Sequence, residues 1–212
     1  MTEVLDWIDC DIRLAMVANA DACSDLRAAD PATCDEFRAL LGPPARGLEW
    51  DLAHAYSYAN GVTHGVSTCG LVAAGLLRRV IDLSAWDAPY REWAHPYHGL
   101  DVVSALGELG LACDARRVAG DRPQPGDVVC IGEGLATHVM TAIAWDGGTL
   151  VSVDGGQVDE PSDDPRGLQR TRTCRRGWSR LSIVWVLDLD RLAATLPRAS
   201  WTVPDGADIK RR

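Results

Sequence analysis

The hydrophobic period of this chain changes once, near Pro123, and that change limits the architectures open to it. Before it, apolar residues recur at helical spacing. Val4, Leu5, Ile8, Ile12, Leu14, Ala15 and Val17 predict a helix within 3–19. Phe37, Leu40 and Leu41 predict a second over 33–41, stopped by Gly42-Pro43-Pro44. Residues 49–59 read as a further helix or turn, broken by Asn60-Gly61. Ser67-Thr68 opens a strong helical run through Leu71, Val72, Leu76, Leu77, Val80 and Ile81, and 99–110 carries another. After Pro123 the signal becomes short apolar runs: 127–131, 138–145, 149–153 and 181–189. Asp146-Gly147-Gly148 joins the second and third as a hairpin turn. Arg191 to Leu196 reads as a short closing helix. Helices first and an antiparallel sheet second make an α+β chain, not an alternating βαβ one.

At 212 residues the chain fits a single domain over 1–196, helical over 1–120 and sheet over 121–196, with a polar tail over 197–212. That length buries a core without disulfides or a structural metal. The net charge of −9 disfavours nucleic acid as a partner, since phosphate affinity needs clustered cations. No run of eighteen apolar residues exists, so no membrane span is expected. Residues 1–17 carry Glu3, Asp6, Asp9 and Asp11 rather than a basic region and a clean apolar run. The expected location is therefore cytoplasmic as synthesised, or reached by export without a cleaved signal. Asp154, Asp159, Glu160, Asp163 and Asp164 precede six arginines between Arg166 and Arg180. The simplest reading is a solvated loop or hairpin whose charges pair locally; the functional one is a rim that orients an anionic substrate.

Seven cysteines cannot all pair with one another, and their spacing is irregular. Cys69 has the most informative context. It follows Ser67, a good N-cap residue, at the start of a helical run. There the helix dipole and the first-turn N–H groups favour thiolate, and the same N–H groups can face an oxyanion. Gly70 leaves room for a substrate to approach.

A thiolate nucleophile needs a base, and the histidines are His54, His64, His95, His98 and His138. His138 opens a strand, where it is held rigidly, while His64 lies in a loop five residues before Cys69. His95 and His98 lack Cys or acidic partners at metal-ligand spacing, so no metal is expected. With a turn centred near residue 147, position 138 lies opposite about 156, bracketed by Asp154 and Gln157. Either could orient the imidazole, Asp154 through an ionic hydrogen bond or Gln157 as a neutral acceptor.

The order of these features resembles the NlpC/P60 and CHAP superfamily of papain-like cysteine peptidases and amidases. Thr68-Cys69-Gly70-Leu71-Val72 is similar to that family's Asp-Cys-Ser-Gly-Leu-Val box. Gln124-Pro125-Gly126-Asp127-Val128-Val129 is similar to its Pro-Gly-Asp strand start, and Thr137-His138-Val139 to the start of its histidine strand. The matches span about residues 50–157. Thr68 and Gly70 depart from the family's usual Asp and Ser, and Asp154 or Gln157 stands nearer the CHAP pattern than the third His common in NlpC/P60.

The resemblance implies a bacterial cysteine hydrolase of papain-like NlpC/P60-type fold, its nucleophile at a helix N-terminus. Cys69 would attack an amide carbonyl, with His138 as base and then acid. Tyr58, eleven residues before Cys69, would assist near the oxyanion. The implied substrates are peptides or peptidoglycan fragments, and no cofactor is needed. Alternatives on the same fold are a protein-modifying deamidase or acyltransferase, or an antibacterial effector amidase partnered by an immunity or inhibitor protein. A non-catalytic binding module with Cys69 buried is the remaining class.

Overall fold

The computed structural model describes residues 12–28, 30–42, 68–83, 112–114, 122–133, 136–157 and 170–199. Four α-helices lie among them, α1 (Ile12–Ala22), α2 (Cys34–Leu41), α3 (Cys69–Arg78) and α4 (Leu189–Thr195), with one 3-10 turn at Trp178–Arg180. Six strands follow the change of period or lie just before it: β1 (Ala112–Asp114), β2 (Val128–Glu133), β3 (Ala136–Asp146), β4 (Thr149–Gln157), β5 (Arg170–Gly177) and β6 (Ile183–Leu187). They form one sheet in the order β1-β6-β2-β3-β4-β5, and every neighbouring pair is antiparallel. The chain is therefore α+β. The predicted helices within 49–59 and 99–110 fall outside the described residues, as do residues 3–11 and Tyr58. Among the described residues no helix is long and apolar enough to cross a membrane.

Strand alternation divides the sheet's side chains between two faces. Cys130, Val139, Val151 and Val153 join the helices in the larger core. Val129, Met140, Ala142, Leu150 and Val186 form a smaller core on the other face, with Trp145 and Trp178 against it. In α3, residues Cys69 to Leu77 are all buried. A helix apolar on every side must be covered on every side. Here α1, α2, β3 and β4 all pack against it.

Gln124-Pro125-Gly126-Asp127 shapes the start of β2. The Asp127 N–H donates to Gln124 O at 3.0 Å, closing a turn in which Gly126 takes a φ of 95°. A side chain is strained at that φ, so the turn favours glycine. Asp127 is buried, and its carboxylate accepts from Gln124 N at 2.8 Å, Leu189 N at 3.1 Å and Arg13 Nη1 at 2.8 Å. Arg13 also reaches Asp190 at 2.9 Å. One carboxylate thus fastens α1, β2 and α4 together.

The hairpin of β3 and β4 turns at Gly147-Gly148, with Asp146 opposite Thr149. Its register shifts between Ala142 and Ala144, leaving Ile143 as a one-residue bulge. Beyond the bulge Met140 stands opposite Asp154. Continuing the turn's register without a bulge would set Thr141 there instead. Because side chains alternate, the bulge brings His138 onto the face that carries Asp154.

Of the two simple readings of the arginine-rich segment, the hairpin fits and the solvated loop does not for residues 170–177. Arg170–Gly177 is an edge strand paired to β4 along most of its length. Thr171 explains part of this. It is fully buried, and its hydroxyl accepts from Leu26 N at 2.8 Å and donates to Cys23 O, tying β5 to the end of α1.

Candidate active site

Cys69 is the first residue of α3 and is buried. The N-cap position belongs to Thr68, whose side chain makes no capping bond; Ser67 lies outside the described residues. The first turn closes through Val72 N donating to Thr68 O at 2.9 Å. A helix start leaves its first N–H groups without acceptors inside the helix, which places Gly70 and Leu71 where N–H groups favour negative charge.

Gly155 lets this turn lie directly on β4. A Cβ at Gly155 would come within 2.4 Å of Val72 Cγ2 and 2.8 Å of Thr68 O. Only a residue without a side chain admits that approach, so Gly155 sets the height of the Cys69 turn above the sheet.

His138 occupies the third position of β3, with about a quarter of its side chain exposed (24%). Its Nε2 lies 2.6 Å from Oδ2 of Asp154, which is fully buried. A carboxylate accepts, so in the neutral ring the proton sits on Nε2. That leaves Nδ1 for the Cys69 thiol, the ring's other hydrogen-bond partner. Asp154 is thus the group that meets the imidazole. Gln157 ends β4 opposite Arg170, and its side chain lies outside the described residues. His54, His64, His95, His98 and Tyr58 lie outside them too.

Two groups unforeseen in the sequence complete the cluster. Ser152 donates to Asp154 Oδ1 at 2.6 Å. Arg176 on β5 donates through Nη2 to Asp154 Oδ2 at 2.5 Å and through Nη1 to Ser152 Oγ at 3.0 Å. The Ser152-x-Asp154 spacing was the available signal, since it sets both side chains on one face of a strand.

The electrostatics follow from these contacts. Burial pushes the His138 pKa down, but the hydrogen bonds and charges of Asp154 and Cys69 outweigh it and raise it to about 9. Burial alone would raise the Asp154 pKa, yet His138 and then Arg176 hold it below the ordinary carboxylate value. Two other buried thiols are held protonated. Burial and the nearby Cys69 push Cys130 up to about 12, and burial pushes Cys23 up to about 11.

A thiol beside a ring that favours its proton is set for proton transfer to nitrogen. The arrangement can hold a thiolate-imidazolium pair, with Asp154 fixing the tautomer from behind. Among the described residues no three His, Cys, Asp or Glu side chains form a metal-binding group. No protein-family model, curated protein or solved structure matches the chain.

Proposed function

We propose that this protein is a papain-like cysteine amidase or peptidase that cleaves an amide through a thioester. The observation that carries this reading is the His138 ring, engaged by Asp154 on Nε2 at 2.6 Å and sharing a hydrogen bond with the thiol that begins α3. The order of elements supports it as well: a nucleophile at a helix start, then a histidine and an acid on adjacent antiparallel strands.

The chemistry proceeds in two halves. The Cys69 thiolate attacks the amide carbon, and charge moves onto the carbonyl oxygen near the first-turn N–H groups of α3. His138 then gives its proton to the departing nitrogen as the C–N bond breaks, leaving a thioester and a neutral imidazole. In the second half the imidazole takes a proton from water as its oxygen attacks the thioester. The C–S bond breaks, the acid product leaves, and the thiolate-imidazolium pair returns. Peptide amides, including those of peptidoglycan stem peptides and cross-links, are the substrate class that the sequence resemblance favours.

Purified peptidoglycan sacculi incubated with wild type and with Cys69→Ala provide the test, with released fragments identified by mass. New amine and carboxyl ends that require Cys69 are the expected result. Identical fragment profiles for the two proteins, on sacculi and on a peptide-amide library, would overturn the reading.

A further inference from the structure

Arg176 stands on β5 opposite Leu150, on the sheet face that carries Met140 and the smaller core. From there its guanidinium crosses to Asp154 Oδ2, the oxygen that also meets His138. Its other terminal nitrogen contacts Ser152 Oγ at 3.0 Å and Met140 Sδ at 3.6 Å. Both Asp154 oxygens are thereby engaged, and one polar chain runs from β5 to the imidazole.

The charges show what this chain accomplishes. In the resting pair, the Cys69 thiolate balances the imidazolium and Arg176 balances Asp154. Once the thioester forms, the thiolate charge is gone and His138 has released its proton. Asp154 then remains a buried carboxylate beside a neutral ring. A buried carboxylate without a cation would hold the ring's proton back, because an uncompensated charge in a low-dielectric site is costly. Arg176 supplies that cation in both halves of the cycle.

We propose that Arg176 is a positioning residue that keeps Asp154 ionised and aimed while letting His138 release its proton. This rests on the cysteine-hydrolase reading and goes beyond it. It also gives one member of the arginine-rich segment a task unrelated to substrate charge. The groups that act on the ring are Cys69 from α3 and Asp154 from β4; Arg176 and Cys174 from β5 act on Asp154, Arg172 on Cys174, and Cys130 from β2 lies near Cys69.

The test is the pH dependence of Cys69 alkylation by iodoacetamide, which needs no substrate, in wild type, H138Q, R176Q, R176M and R176K. Wild type should show an alkaline limb near pH 9 that H138Q removes. Losing the guanidinium exposes the ring to the unopposed Asp154 charge, so R176Q should move that limb upward by about one unit or more. R176M, which keeps the apolar stem, should match it and serves in its place if R176Q does not fold. R176K, retaining the charge, should return the limb toward the wild-type position. A limb unmoved in R176Q and R176M, accompanied only by a lower unfolding midpoint, would make Arg176 structural and overturn the proposal. A wild-type curve identical to that of H138Q would instead overturn the cysteine-hydrolase reading, and the role of Arg176 with it.

Discussion

Asp154 and His138 meet diagonally across the β3–β4 hairpin, Oδ2 to Nε2 at 2.6 Å, although the residue opposite Asp154 is Met140. The ring therefore leans along the sheet toward the carboxylate, and its remaining nitrogen is left for α3. Replacing Asp154 by Asn offers an amide where an acceptor is needed. The expected result is a kcat lower by about 10²–10⁴-fold per folded molecule, measured on whichever amide substrate wild type cleaves. A change below threefold would remove Asp154 from the mechanism.

Thiol reactivity should single out one cysteine. Cys23 and Cys130, pushed up to about 11 and about 12, remain protonated at neutral pH. Cys69 has His138 to take its proton. Limited iodoacetamide at pH 7 followed by peptide mapping should find Cys69 modified first. Faster modification of Cys23 or Cys130 would count against an activated Cys69.

Stability should depend on pH in a defined window. The His138 pKa is raised from 6.5 to about 9 in the folded chain. A raised pKa means that the folded state binds the proton more tightly, so this contribution is complete below about pH 6.5 and is lost as pH rises through about 9. Asp154, whose pKa is lowered, contributes above its ordinary value, and that contribution is lost as pH falls through its folded value. Urea midpoints should decline from pH 6.5 to 9 in wild type and decline less in H138Q. Parallel curves would contradict the assignment.

Gly155→Ala tests the height of the Cys69 turn. The new Cβ meets backbone at Thr68 and the stiff β-branched Val72, neither of which yields easily. Destabilisation of about 1–3 kcal/mol is expected. Activity should fall further than stability accounts for, since the Cys69 turn must shift. Denaturant unfolding and kcat on the same preparation separate the two effects.

Asp127→Ala should act in the reverse sense. It strands the buried N–H of Leu189 and removes one anion from Arg13. A loss of about 2–4 kcal/mol is expected from the unmet donors and the broken pair. Turnover per folded molecule should stay within about threefold of wild type, because α1, β2 and α4 are fastened away from the His138–Asp154 contact.

These contrasts show what the sequence made legible. Short apolar runs flanking Asp146-Gly147-Gly148 identified β3 and β4, and turn counting brought Asp154 near His138, but the Ile143 bulge that sets them on one face left no mark in the sequence. Cys69 was legible from its helix-opening context. β5 was not, because its arginines resemble a solvated loop, and only the alternating Thr171 and Thr173 hinted at a strand. Arg176 was hidden for the same reason. Its role arises from a reach across two strands that no local pattern encodes.

The Ile143 bulge has one more implication. It gives the hairpin something like a reading frame. Deleting that single residue would straighten the ladder and leave Met140 opposite Asp154, whereas drawing Ile143 into the ladder would set Thr141 there and turn His138 to the far side of the sheet. With Ile143 present, regular pairing and the His138–Asp154 contact exclude one another, and the count of residues carries as much information as their identity.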